Sequence, residues 1–132
     1  MGDKKLKLLY LAKYLEEETD QEHPAGMPEL LAYLTANGIS AERKSVYDDL
    51  RLLESFGMDV ETVKGRQFGY YLGERTFQLP EVKLLVDAVQ ASKVVSARTS
   101  SKLIHKLEAL CSDYEGTQLQ RQVYVDGRPK SD

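Results

Sequence analysis

Three stretches of helically spaced apolar residues, two short extended runs around a glycine turn and a proline-led helical tail predict an α+β fold. The expected form is a winged helix-turn-helix over residues 1–75, followed by a helical extension over residues 76–132. The change of period decides the class. Apolar residues recur every three or four positions up to Phe56, then gather in extended runs from Met58 to Leu72. Three helices followed by a hairpin is the order of that fold.

The first helix is expected from about Asp3 to Glu18, where Leu8, Leu11, Ala12 and Leu15 build one stripe. Asp3 suits the positive end of the helix dipole, whereas Glu16, Glu17 and Glu18 oppose the other end. After a polar loop, Pro28 stands at the favoured first helical position, and Leu30, Leu31 and Leu34 supply an inner face. Asn37-Gly38 stops this second helix. Ser40 reads as the N-cap of a third helix running to about Phe56, with Val46, Leu50 and Leu53 as its core line and Gly57 as its stop. Met58 to Val63 and Phe68 to Leu72 are the extended runs, joined by Lys64-Gly65-Arg66-Gln67. Pro80 opens a fourth helix with Val82, Leu85, Val86 and Val89 on one face. Ser96 or Thr99 caps a fifth, striped by Leu103, Ile104, Leu107, Leu110 and Cys111. Gln122 to Val125 reads as a lone strand, which has no independent stability.

The totals exclude several classes. With 132 residues, 42% apolar and 30% charged, the chain has the composition of a soluble globular protein. No apolar run approaches the roughly 18 residues of a membrane helix. Lysines interrupt the N-terminal segment, so it is not a secretory signal. A single cysteine, Cys111, permits neither an internal disulfide nor a cysteine-based zinc site and suits a reducing cytoplasm. It extends an apolar stripe and reads as a small core hydrophobe. His23 beside Pro24 and His105 beside Lys106 have no ligand or triad partner at usable spacing and read as solvated. There is no H-E-x-x-H, no phosphate-cradling loop and no nucleophile elbow. No enzyme activity, cofactor or metal is therefore expected.

Charge placement carries the functional reading, because the sum opposes it. The net charge is −3, and residues 1–75 hold ten cations against fourteen acids, a net of −4. Yet the third helix points Lys44, Asp48 and Arg51 outward from its core line, with Ala41 and Tyr47 beside them and Arg43 flanking the same surface. Cations at the N-terminal end of a recognition helix approach bases and phosphates first. Arginine can bind guanine bidentately, lysine and Tyr47 can reach phosphates, and Ser45 is small enough to allow close approach. Lys64 and Arg66 repeat the theme at the hairpin turn. The plainer reading is a solvated face, with Asp48 paired to Lys44 at i, i+4 or to Arg51 at i, i+3.

The stretch Glu42-Arg43-Lys44-Ser45-Val46-Tyr47-Asp48-Asp49-Leu50 resembles the recognition helix of WYL-domain transcriptional regulators. Gly57-Met58-Asp59-Val60 is similar to that family's lead into the wing, and Phe77 to Val89 is similar to the helix after it. Arg121 to Val125 is similar to the strand leading toward the sensing domain. The resemblance spans nearly the whole chain. It implies that Arg43, Lys44, Ser45 and Tyr47 face DNA and that Asp49 is a structural partner inside the domain. It also implies a sensing domain beginning where this chain ends, so that any small-molecule or nucleic-acid effector acts outside these residues. Position 48, often basic in that family, is aspartate here.

The expected function is sequence-specific binding of a double-stranded DNA operator to control transcription in a bacterial cytoplasm, with no membrane involved. The alternative is a winged helix used as a protein-interaction module without DNA binding. A continuous cationic strip around Arg43, Lys44, Lys64 and Arg66 favours DNA, and cations each neutralised by acids favour the alternative. A homodimer is expected through residues after Thr76, because Leu84, Ile104, Val123 and Val125 exceed what one layer of helices covers; the alternative is that they pack on the sensing domain.

Overall fold

The computed structural model describes residues 2–66 and 68–126, with side chains for residues 4–66 and 68–122. The fold is α+β. Among the described residues, six helices accompany one two-stranded antiparallel sheet. No helix among them is long and apolar enough to cross a membrane. The chain divides into two compact units, residues 1–74 and 75–132.

The first unit holds α1 (Gly2–Glu18), α2 (Met27–Ala36), α3 (Arg43–Phe56), β1 (Val60–Val63) and β2 (Gly69–Leu72). Its core joins Leu11 and Leu15 of α1, Met27, Leu30 and Leu34 of α2, and Val46, Leu50 and Leu53 of α3. Val60, Tyr70 and Leu72 close it from the hairpin. Leu11, Leu15, Leu30, Leu34 and Val46 are wholly buried, which removes enough apolar surface to give each side chain roughly 2 kcal/mol of driving force.

Local chemistry explains the boundaries. α2 starts with Pro28 in its first turn and ends in paired reverse bonds, Ile39 N–H to Leu34 O at 2.9 Å and Gly38 N–H to Thr35 O at 3.0 Å. Ile39 is buried where that motif places an apolar contact. α3 ends the same way, with Met58 N–H reaching Leu53 O at 3.0 Å while Gly57 takes φ 124°, a conformation that a side chain would strain. Its start differs from the sequence expectation. Ser40 is not the N-cap: α3 begins at Arg43, with Glu42 at the cap position in extended conformation and no side-chain cap bond. Residues 39–42 lie outside any helix or strand, which places Ser40 too early to meet the first-turn N–H groups.

β1 and β2 pair from Val60–Leu72 through Val63–Gly69. The loop after α1 adds to the free edge of β2. Ala25 and Tyr70 exchange both backbone bonds, at 2.8 and 2.7 Å. Gly69 permits this approach, since a Cβ there would meet Pro24 Cβ at 2.8 Å. Thr19, wholly buried, ties α1 to the same strand. Its hydroxyl donates to Leu15 O and accepts from Leu72 N–H at 3.1 Å.

The second unit holds α4 (Leu79–Ala91), α5 (Ala97–Glu108) and α6 (Asp113–Asp126) around Val82, Val86, Ile104, Cys111 and Leu119. Gln78 N–H donates to Glu81 Oε1 at 2.9 Å at the start of α4. Ser96 caps α5, accepting from Thr99 N–H at 3.2 Å. α5 buries Ile104, which was expected to stay uncovered, while Leu103 of the same stripe is exposed and Leu107 and Leu110 pack, partly buried, against the core. The strand expected at Gln122–Val125 is the last turns of α6 instead. Ser112 starts that helix by accepting from Glu115 N–H at 3.2 Å, and its carbonyl accepts from Gly116 N–H at 2.8 Å. Helical bonding satisfies this backbone within its own segment, which a lone strand cannot do. The side chains of Val123 and Val125 lie outside the described residues. Cys111 is a core side chain, donating to Glu108 O at 3.2 Å, and burial pushes its thiol up to about 11.

Candidate nucleic-acid interface

α3 presents two opposite faces. Inward it carries Val46, Leu50 and Leu53, and outward Arg43, Lys44, Tyr47, Asp48 and Arg51, all exposed. Arg43 and Lys44 occupy its first turn, which holds no acid. Lys44 and Arg51 each stand at i, i+3 or i, i+4 from both Tyr47 and Asp48, so the four form one patch on the helix surface.

Ser45 stands apart from this patch. It is half-buried at the junction with α1, where its hydroxyl donates to Glu42 O at 3.0 Å and accepts from Lys7 Nζ at 2.8 Å. The same ammonium lies 3.0 Å from Asp49 Oδ2. That oxygen is buried and has no other hydrogen-bond partner among the described residues, so the Lys7 charge is what compensates its lost hydration. Lys7 escaped the sequence reading. A signal was present: Lys7, Leu11 and Leu15 share one line at i, i+4 and i+8, and Asp49 lies on the inward side of α3 between Val46 and Leu53. A cation and an acid on facing buried lines are candidates to meet.

The hairpin joins α3 through aromatic rings. Tyr47 lies edge-on to Tyr70 with ring centroids 6.5 Å apart, and Phe68 lies edge-on to Tyr70 at 5.3 Å. Tyr70 is buried between them. Burial pushes its phenol above the usual range, helped by the charge of and a hydrogen bond with Tyr47, while Arg51 pulls the other way. Beyond Phe68 the turn carries Lys64 and Arg66, both exposed, and Gln67 lies outside the described residues.

Among the described residues, no ion pair involves Arg43, Lys44, Arg51, Lys64 or Arg66. Pairs that are present include Lys7–Asp49, His23–Asp20 and His105–Glu108. The expected pairing of Lys44 or Arg51 with Asp48 is not among them. Acids gather instead near the hairpin base, where Asp59 accepts from Glu74 N–H at 2.7 Å. Glu61 is held above the usual carboxylate range by a hydrogen bond with Asp59 and by the Asp59 charge. His23 is not simply solvated, since its Nδ1 lies 2.8 Å from Asp20 Oδ1. His105 is exposed, with Nδ1 3.7 Å from Glu108 Oε1. No protein-family model matches the chain, and neither a curated protein nor a solved structure matches it to a significant degree.

Proposed function

We propose that residues 1–74 are a winged helix-turn-helix that binds double-stranded DNA sequence-specifically to control transcription, as a WYL-type regulator does. α3 is the recognition helix and the β1–β2 hairpin is the wing. The observation that carries this reading is the row of exposed, unpaired cations at Arg43, Lys44 and Arg51, continued at Lys64 and Arg66 on an element that touches α3 through Tyr47 and Tyr70. Phosphate contacts need cations that no acid has neutralised, and base contacts need them near the helix start. Cations each neutralised by acids would favour the protein-interaction alternative, and none of these five is in an ion pair among the described residues.

A mobility shift with DNA from upstream of the protein's own gene, set against random duplex, tests the reading. Tighter binding to the upstream DNA is expected; binding to neither duplex would leave the protein-interaction role. For the second unit we propose a homodimer contact through residues after Thr76. Leu84 and Val94 support it, being 69% and 96% exposed.

A further inference from the structure

Asp48 is the one acid in the outward patch of α3. It lies one turn beyond Lys44 and one turn before Arg51, next to Tyr47, and is itself exposed. Both neighbouring cations are at helix spacings that allow pairing, yet Asp48 takes part in no ion pair among the described residues. Its carboxylate, in no ion pair among the described residues, therefore stands in the middle of the surface proposed above as the recognition face.

Such a group has few favourable partners there. It only accepts hydrogen bonds. Phosphates repel it, as do the N7 and O6 acceptors of guanine and the O4 of thymine. Cytosine offers its N4 amino group as a donor. Adenine offers N6 as well, but the adjacent N7 acceptor faces the second carboxylate oxygen. Lys44 and Arg51, on either side, keep the local field positive enough for the face to approach DNA at all.

We propose that Asp48 is a specificity-determining residue that selects cytosine at one position of the site by accepting from its N4 amino group. This rests on the DNA-binding reading above. The carboxylate weakens contact with every other base, so it trades general affinity for discrimination.

The test is selection from a random duplex pool with the full chain, in parallel for the wild type, Asp48→Ala and Asp48→Asn, with affinities then measured on the enriched site and its single-base variants. Asp48 is exposed, so both variants should keep the wild-type circular dichroism. The wild type should enrich a site with one strongly preferred cytosine. Asp48→Ala should lose about tenfold discrimination at that position alone and bind the other three bases more tightly than the wild type does. Asp48→Asn should shift the preference there toward adenine, whose N6 and N7 match an amide. An enriched site that is unchanged in both variants would overturn the proposal and leave DNA binding intact. If the wild type enriches no site, the DNA-binding reading itself fails, and the role of Asp48 with it.

Discussion

The Lys7 ammonium sits 3.0 Å from the Asp49 carboxylate and joins α1 to α3 through side chains only 10% and 13% exposed. The same ammonium reaches Ser45, in the first turns of α3. The pair therefore fixes the helix that carries the outward cations, from its buried side. Removing one partner leaves the other charge buried and unpaired. Lys7→Met or Asp49→Leu alone should destabilise the first unit by about 3 kcal/mol, and the double variant should cost clearly less than the sum. Urea unfolding of all four proteins measures this. Strict additivity would mean that the two charges do not depend on one another.

Arg43→Ala and Lys44→Ala should each weaken DNA binding without altering stability, because both side chains are exposed. A base-reading residue should cost about 1–3 kcal/mol and relax specificity at its position, whereas a phosphate contact should weaken all sequences alike. Affinity measured on cognate and scrambled duplexes separates the two. Wild-type affinity in a folded double variant would remove α3 from the interface.

The hairpin turn should act through charge alone. Replacing Lys64 and Arg66 by alanine is expected to reduce the slope of log K against log salt by about 0.9 per lost phosphate contact, with base preference unchanged. A titration of affinity over salt concentration checks it. An unchanged slope would mean that the turn does not contact DNA.

Glu61 gives a pH dependence with a definite sign. Its hydrogen bond with Asp59 and the Asp59 charge raise its carboxyl above the ordinary value in the folded chain. Proton binding is thus stronger in the folded state, so the contribution favours folding at low pH and is lost as pH rises through the raised value. At neutral pH the charged Glu61 opposes the fold. Glu61→Gln should therefore raise Tm modestly at pH 7, with the gain shrinking as the pH falls toward the ordinary carboxylate range. A gain that grows on acidification would reverse the assignment.

The proposed contact between second units can be read from mass. Sedimentation at tens of micromolar should give a dimer, and Leu84→Lys should give a monomer of unchanged helicity. A wild-type monomer under those conditions would assign the exposed Leu84 and Val94 to some other surface.

Most of the first unit was legible because its signals are local. Pro28, Gly57 and the Val46-Leu50-Leu53 line act within one helix, and the extended runs follow immediately. What escaped was nonlocal or displaced by a turn. The Lys7–Asp49 pair needs two helices brought together before either residue has a reason to be buried. Ser40 is a good capping residue, but Ile39 is buried and the helix starts only at Arg43, with Glu42 extended before it. α6 was readable in principle, since Ser112 and Glu115 have the spacing of a capping box, but Val123-Tyr124-Val125 drew attention to strand propensity. Of the proposed site residues, the outward cations followed from periodicity. The freedom of Asp48 from its neighbours did not, because helix spacing allows pairing without requiring it.

Tyr70 holds the hairpin at its base. Its backbone bonds Ala25 on one side and pairs with Thr62 on the other, and its ring is held between Tyr47 and Phe68. Among the described residues, the turn at 64–66 shows no such ties and is exposed throughout. Anchored root and unanchored tip make the hairpin a modular part. Residues inserted into or deleted from the turn would change its reach at little conformational expense, since loop closure varies only slowly with length. The register of the strands, and with it the setting of α3, would survive the exchange.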